Sequence, residues 1–300
     1  MRLATILISG LFAATAAAQC NYDVIGLPEY PCGQSIGSAA PSDMNNEGVI
    51  VGWWQQCNGE DHAIYYWSPK DGLHPEFFLP PTAHTAEAIA INDKGNFTGS
   101  ARDGLNKAFG WAWIDGAYQI INIPPGMGNA IEPVGINNHD EIVGWLGTPP
   151  LGERSAFRWK DGVLTILDVD STNAGAFGIN DNGQIAGLYV AGGPAFLLEG
   201  DRLTSLPALP DATSHRVRRI NEHGVIVGRT SIVDPEISFT ATRWCDGEVT
   251  DLGVLPGSDY SVAVGINRFG TIIAQGADDW ILVNDSITPL AELADGFDGT

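Results

Sequence analysis

The strongest chemical signal in the chain is the pentapeptide His215-Arg216-Val217-Arg218-Arg219. It places three arginines in four positions of a sequence that has 15 basic and 36 acidic residues and a formal net charge of −21. Guanidinium groups bind carboxylate, sulfate and phosphate through paired, charge-assisted hydrogen bonds. The segment therefore predicts an anion site that includes His215, Arg216 and Arg218. An internal set of ion pairs is the alternative, because burying arginines without partners is costly.

Two tryptophans and one more arginine are candidates to complete such a site. Trp53, Trp145 and Arg229 each follow a glycine that ends a strand pattern, at the start of a loop of variable sequence. Variable loops on a rigid scaffold commonly carry binding residues. Indole rings and a guanidinium suit stacking on a sugar that bears an anionic group. The alternative is that the tryptophans pack in the core, as most large aromatic side chains do.

The element that must position these residues is a β-hairpin that occurs six times. Its clearest copy, residues 178–187, reads Gly-Ile-Asn-Asp-Asn-Gly-Gln-Ile-Ala-Gly. Asparagine opens the turn in every copy and can bond its own backbone two residues on. Glycine closes the turn in all copies but one, where Asp140 tolerates the same left-handed conformation. The turn asparagines, spaced 47, 45, 43, 41 and 46 residues apart, are Asn45, Asn92, Asn137, Asn180, Asn221 and Asn267.

Two further strands follow each hairpin, for example residues 156–159 and the chain after the tight turn Asp161-Gly162. Four strands in a repeat of about 45 residues are typical of a propeller blade. We therefore predict an all-β, six-bladed β-propeller, with a β-solenoid as the alternative. The tight turns should lie on one face of the disc and the variable loops on the other. The repeats span approximately residues 38–85, 86–129, 130–173, 174–214, 215–260 and 261–300.

The N-terminus is typical of a signal peptide over residues 1–18. Met1-Arg2 precedes an apolar stretch from Leu3 to Ala18, shorter than the ~20 residues that span a bilayer. We expect residues 19–300 to form a single propeller domain that is secreted, extracellular or periplasmic, and not inserted in a membrane. Loss of Arg2 leaves 14 basic residues and takes the net charge from −21 to −22. Such a charge repels nucleic acid, which is therefore excluded as a partner.

The four cysteines predict disulfide bonds in an exported protein, and four cysteines allow three possible pairings. Cys32 and Cys57 flank the same predicted blade, so we predict a bridge between them. Cys20 and Cys245 would then form the second bridge.

The sequence predicts no metal site and no cofactor. The six histidines have no ligand spacing. Asp168-x-Asp170-x-x-Asn173 matches only part of a calcium loop and lacks its glycine and twelfth-position glutamate. Calcium is kept as an option on this pattern alone.

The repeats resemble those of the HAF-repeat extracellular proteins of bacteria. The shared phrases are small-x-Gly-Ile-Asn-x-x-Gly-x-Ile-Val-Gly, His-Ala-Phe-x-Trp and Asp-Leu-Gly-x-Leu-Pro-Gly, the last standing at residues 251–257. The resemblance covers about residues 35 to 300 and implies export and a repeat architecture, but no activity. The histidine of the second phrase is present only as His62, and its sequence equivalents are Lys107, Ser155, Pro194 and Thr240.

Two functional hypotheses follow. The first is a binding or interaction module for an extracellular glycan or protein, with a carbohydrate or anionic ligand on the variable-loop face. The second is a glycan-active hydrolase or lyase that uses carboxylates at the mouth of the central channel. A pair of carboxylates beside aromatic rings, one with a raised pKa, would favour the enzyme.

Strand alternation adds a geometric expectation for the arginines. Side chains alternate between the two faces of a strand, so Arg216 and Arg218 should share one side while His215 and Arg219 share the other. We also expect Arg219 to pair with an acidic residue.

Overall fold

The computed structural model describes residues 31–32, 35–36, 39–55, 62–74, 79–148, 153–170, 173–190, 193–233, 237–254, 257–277, 279–283 and 286–290. Every regular element named in them is a β-strand. A short ladder of β1 (Pro31–Cys32) and β2 (Ser35–Ile36) precedes six four-stranded antiparallel sheets.

Each sheet is built from four consecutive strands, and the six sheets form a ring. Blades one to three contain β3 (Ala39–Met44), β4 (Ile50–Gln55), β5 (His62–Ser68) and β6 (Gly72–Leu73); β7 (Ala83–Ile91), β8 (Phe97–Asp103), β9 (Ala108–Ile114) and β10 (Ala117–Ile121); and β11 (Ala130–Ile136), β12 (Ile142–Gly147), β13 (Arg154–Lys160) and β14 (Val163–Ile166). Blades four to six contain β15 (Ala174–Ile179), β16 (Gln184–Tyr189), β17 (Ala195–Glu199) and β18 (Arg202–Ser205); β19 (Ala212–Ile220), β20 (Ile226–Val233), β21 (Ile237–Cys245) and β22 (Glu248–Gly253); and β23 (Val262–Ile266), β24 (Ile272–Gln275), β25 (Trp280–Val283) and β26 (Ser286–Pro289). The six-bladed propeller is confirmed, and the solenoid alternative is excluded.

The turn chemistry is as the sequence predicts. In the fourth blade, Asn180 Oδ1 accepts hydrogen bonds from the backbone N–H of Asn182 at 3.1 Å and of Gln184 at 3.0 Å. Gly183 closes that turn with φ of 74°, and Asp140 adopts 60° at the same place in the third blade. The side chain therefore satisfies backbone donors that the tight turn leaves unpaired.

The same asparagines also join neighbouring blades, which the sequence did not reveal. Asn137 Nδ2 donates to the carbonyl of Asn180 at 3.1 Å, and Asn180 Nδ2 donates to the carbonyl of Asn221 at 2.9 Å. Equivalent bonds start from Asn45, Asn92 and Asn221. A buried relay therefore links the blades in order around the tight-turn face.

The apolar core lies between blades. Val143 and Ala156 of the third blade pack against Ala176, Ile185 and Phe196 of the fourth. Each sheet thus has one face toward the preceding blade and one toward the following blade. The first strands of successive blades pack on one another, so they are the innermost strands around the axis.

The junction from the sixth blade back to the first differs from the others. Among the described residues, Asn267 Nδ2 makes no bond to the first blade, unlike its five counterparts. A Cβ added to Gly178 would lie 3.1 Å from Ile220 of the next blade, whereas one added to Gly265 would meet nothing within 4 Å. Residues 286–289 form the outer strand of their own blade, and the similar segment Tyr22–Leu27 lies outside the described residues.

Candidate functional site

A β-bulge in β19 decides where the arginines point. Val217 pairs with Gly228 and Arg219 pairs with Val227, so Arg218 is left without a cross-strand partner. Because paired residues share a face, Arg219 lies on the same face as Arg216, the face toward the sixth blade. The expected separation of Arg216 from Arg219 is therefore wrong, since strict alternation does not survive the extra residue.

Arg216, Arg218 and Arg229 form a cluster of guanidinium groups, which we call the arginine cluster. Burial, followed by the charges of Arg216 and Arg219, lowers the pKa of Arg218. Burial also lowers the pKa of Arg229, and the positive charges of Arg216 and Arg218 lower it further. In the part of the chain that the structure describes, no carboxylate is paired with any of the three.

Arg229 is held by an aromatic ring rather than by an acid. Its guanidinium lies 3.9 Å from the ring centroid of Phe239, and it pairs across the strands with Arg216. Its Nε is buried and has no hydrogen-bond partner among the described residues. A buried, unpartnered donor of this kind is rare and indicates a site for an acceptor.

Arg219 and His215 have separate surroundings. Arg219 Nη2 lies 3.6 Å from Asp43 Oδ1 of the first blade, which confirms the expected acidic partner. His215 lies on the opposite face of β19, where Nδ1 is 3.1 Å from Thr230 Oγ1 and the ring stands edge-on to Trp244 at 6.0 Å. Burial lowers the pKa of His215. The structure therefore separates His215 from the arginine cluster.

The two candidate tryptophans are covered by neighbours in their own blades. The rings of Trp53 and His62 stack with centroids 4.2 Å apart and an interplanar angle of 18°. Arg154 lies 4.0 Å above Trp145, which is only 8% exposed. These contacts favour packing over open stacking platforms.

The stacked pairs repeat in alternate blades at one register position. The pairs are Trp53 with His62, Trp145 with Arg154, and Arg229 with Phe239. Trp53 pairs across the strands with Ile64, and His62 stands two residues before Ile64 in the chain. The same offset of two residues separates Arg154 from Ala156, the partner of Trp145, and Phe239 from Ala241, the partner of Arg229. The sequence alignment of His62 with Ser155 and Thr240 was therefore wrong. Its structural equivalents are Arg154 and Phe239.

Two glutamates complete the site, and sequence reasoning missed both. Glu87 pairs with Ser100 and Glu132 pairs with Trp145, at the register position where Arg216 pairs with Arg229. The two glutamates line one cavity of about 330 Å³ between the second and third blades. The sequence did contain a signal for these two glutamates. At this position of the inner strand the other blades carry Arg216 or the uncharged residues Ala40, Gly175 and Val262, so a charged side chain there is unusual.

The surroundings of the two glutamates differ. Burial raises the pKa of Glu132 above its usual range, Arg154 and a hydrogen bond from Trp145 oppose the rise, and Glu87 adds to it. Glu87 Oε1 lies 2.5 Å from His62 Nδ1. Thr85 fixes His62 further, with Oγ1 2.9 Å from the His62 backbone nitrogen. Two carboxylates that line one cavity with Trp145, one of them with a raised pKa, favour the enzyme hypothesis.

The predicted disulfides fall mainly outside the described side chains. Cys20, Cys57 and the side chain of Cys32 are not among them, so the bridge from Cys32 to Cys57 stays a prediction. Cys245 carries a free thiol, 3.5 Å from Asp246 Oδ2.

Metal ligands are not grouped in the described part of the chain. No set of three His, Cys, Asp or Glu side chains within it could hold a metal ion. Asp168 and Asp170 line an open hollow of about 720 Å³ with Ser155. Within the same residues, no helix is long and apolar enough to cross a membrane.

These features define the class of protein: a six-bladed β-propeller with charged residues at one level of its inner strands. No protein-family model matches the chain, and no curated protein sequence matches it. Among solved structures it is similar to the acylaminoacyl peptidase of Pyrococcus horikoshii, with a TM-score of 0.56 and 13% identity over 91% of this chain. It is also similar to dipeptidyl peptidase 4 of Porphyromonas gingivalis, with a TM-score of 0.50 and 10% identity over 88% of this chain. The chain spans 46% and 45% of the lengths of those peptidases.

A smaller protein also matches. The fucose-specific lectin of Aleuria aurantia has a TM-score of 0.46 and 9% identity, over 84% of this chain and 94% of the lectin. At identities of 9–13%, these likenesses concern the fold alone.

Proposed function

We propose that this chain is a secreted binding module of the HAF-repeat type that binds anionic glycans, such as those bearing uronates or sulfates. The ligand's anionic group binds the arginine cluster of Arg216, Arg218 and Arg229 at the axial end of the fifth blade. Export rests on the N-terminal pattern, and the family rests on the repeat phrases.

The observation that carries the proposal is an uncompensated positive cluster in an acidic protein. The net charge is −21, yet the three guanidinium groups lie in one another's field without a paired carboxylate among the described residues. Mutual repulsion and desolvation disfavour this arrangement in the free protein. An anion that accepts their hydrogen bonds relieves both effects, which supplies a driving force for binding.

The direct test is isothermal titration calorimetry with a hyaluronan tetrasaccharide and a heparin tetrasaccharide as probes. The double variant Arg216→Gln/Arg218→Gln should weaken binding of whichever probe binds the wild type by about tenfold or more, because hydrogen bonds to charged groups are lost. Its thermal unfolding temperature should equal or exceed that of the wild type, because the repulsion and the desolvation of the buried guanidinium groups are relieved. Arg202→Gln is the matched control, since Arg202 is 76% exposed and its Nη1 is 3.8 Å from Glu199.

Two results would contradict the proposal. One is a wild-type protein that binds neither probe. The other is a double variant that unfolds at a much lower temperature while binding is unaffected, which would identify the cluster as an internal brace.

A second candidate function is hydrolysis of a glycan by Glu87 and Glu132. It is favoured by the shared cavity and by the raised pKa of Glu132, which suits a general acid. Glu132 would protonate the glycosidic oxygen while Glu87 accepts a proton from the attacking water. Incubation of the same tetrasaccharides with wild type and with Glu132→Gln, followed by mass spectrometry, tests this: shorter products from the wild type alone support it.

A further inference from the structure

The charges around the axis are divided into two halves at one level. Glu87, Glu132 and Arg216 occupy the same register position on the inner strands of the second, third and fifth blades. In a ring of six blades, the second and fifth are opposite one another. Negative charge therefore lies on one side of the axis and positive charge on the other.

The two halves do not neutralise each other. Among the described residues, no ion pair joins Glu87 or Glu132 to Arg216, Arg218 or Arg229. The cations nearest to the two glutamates are Arg154, whose charge lowers the pKa of Glu132, and His62. Arg154 stacks on Trp145 and forms no ion pair with Glu132 within the described residues, and His62 Nδ1 lies 2.5 Å from Glu87 Oε1.

The negative half is also a cavity with defined walls. About 330 Å³ is lined by both glutamates together with Thr85, Ser100, Arg102 and Trp145. Like charges that share one cavity repel, so a cation that enters it is stabilised by both carboxylates. A primary ammonium group fits such a site, because it donates three hydrogen bonds to carboxylate and hydroxyl oxygens.

We infer that the ligand of this protein is a zwitterionic glycan, one that carries free amines as well as carboxylates or sulfates. Its ammonium group binds between Glu87 and Glu132, and its anionic group binds Arg216, Arg218 and Arg229. The inference rests on the proposed anionic-glycan function and adds the second charge to the ligand.

Three tetrasaccharides separate the contributions of the two charges. Hyaluronan tetrasaccharide carries carboxylates only, its de-N-acetylated form carries the same carboxylates and free amines, and a glucosamine tetramer carries amines only. Calorimetry at neutral pH, where Glu132 is more fully ionised than in acid, should show the de-N-acetylated form binding about tenfold tighter than either of the others, which corresponds to about 1.4 kcal/mol.

Variants assign the gain to residues. Glu87→Gln/Glu132→Gln should abolish the advantage of the de-N-acetylated form and leave the affinity for hyaluronan unreduced. Glu153→Gln, an exposed change on the third blade, should preserve the advantage. Arg216→Gln should weaken both carboxylate-bearing glycans. Circular dichroism establishes that each variant is folded.

The outcomes are distinguishable. Equal affinities for the two hyaluronan forms, or an amine preference that survives Glu87→Gln/Glu132→Gln, overturns this inference while the anionic-glycan proposal stands. If neither carboxylate-bearing glycan binds, both proposals are wrong. Binding of the glucosamine tetramer as tightly as the de-N-acetylated form would show that the arginine half contributes nothing, and this too overturns the inference.

Discussion

Arg219 on the fifth blade reaches Asp43 on the first, with Nη2 3.6 Å from Oδ1. The two residues occupy the same register position on their inner strands, and the sixth blade between them carries Gly265 there. Asp43 also accepts a hydrogen bond from the backbone nitrogen of Ile91 on the second blade at 3.1 Å. One carboxylate thus ties together three blades on both sides of the junction where the asparagine relay stops.

This ion pair should stabilise the protein modestly and in a salt-dependent way. The two side chains are 30% and 24% exposed, which allows screening by solvent. A double-mutant cycle with Arg219→Gln and Asp43→Asn should give a coupling energy of about 0.2–1 kcal/mol that falls as salt is added. Urea unfolding at two ionic strengths measures it, and a coupling that does not change with salt would contradict the assignment.

Because of the asparagine relay, replacing turn asparagines of different blades should lower the free energy of unfolding by unequal amounts. Asn221→Ala removes two turn bonds and the bond to the carbonyl of Asn267, about 1 kcal/mol each, so the loss should be about 2–4 kcal/mol. Asn267→Ala is the matched control, because Asn267 Oδ1 accepts the same two turn bonds at 3.0 and 2.9 Å but its Nδ2 has no inter-blade bond among the described residues. Equal losses in the two variants would show that the relay contributes nothing.

In the two blades that carry Glu87 and Glu132, a glycine of the second strand packs closely against the backbone of the glutamate. A Cβ added to Gly144 would lie 2.1 Å from the carbonyl oxygen of Glu132, and one added to Gly99 would lie 1.9 Å from that of Glu87. The close approach lies within each blade, between its first and second strands. Gly144→Ala should therefore cost at least about 1–3 kcal/mol. Gly104→Ala, where a Cβ meets nothing within 4 Å, should be close to neutral in the same thermal unfolding assay.

Glu132 should make stability depend on pH in a defined direction. Its pKa is raised in the folded protein, chiefly by burial, so the folded state binds more protons than the unfolded state between the ordinary and the raised value. The free energy of unfolding therefore falls as the pH rises through that window, because Glu132 must lose its proton in the folded protein. Glu132→Gln should stabilise the protein at neutral pH and remove this part of the pH dependence. Denaturant titrations between pH 4 and 8 check it, with Glu153→Gln as control, and a less stable Glu132→Gln at neutral pH would show that the carboxylate is needed in its charged form.

The sequence determined the architecture because the fold is written in local, repeated signals. Asn180 and Gly183 specify a tight turn through their own backbone preferences, and Asp140 keeps that turn without glycine. Six copies of such a unit leave little choice of fold, since each blade must bury its faces against its neighbours. The presence of the arginines and the acidic partner of Arg219 could also be predicted from residue type and position.

Only the tertiary structure decided which residues share a site. The bulge at Arg218 moved Arg219 to the face of Arg216, since one extra residue reverses alternation along a strand. His62 and Glu87 lie 25 residues apart in different blades, and their contact depends on how those blades pack. Glu87, Glu132 and Arg216 become one level around an axis only when strand register and ring closure are fixed. Both are set by contacts distant in sequence, because neighbouring residues alone do not specify which blade lies opposite which.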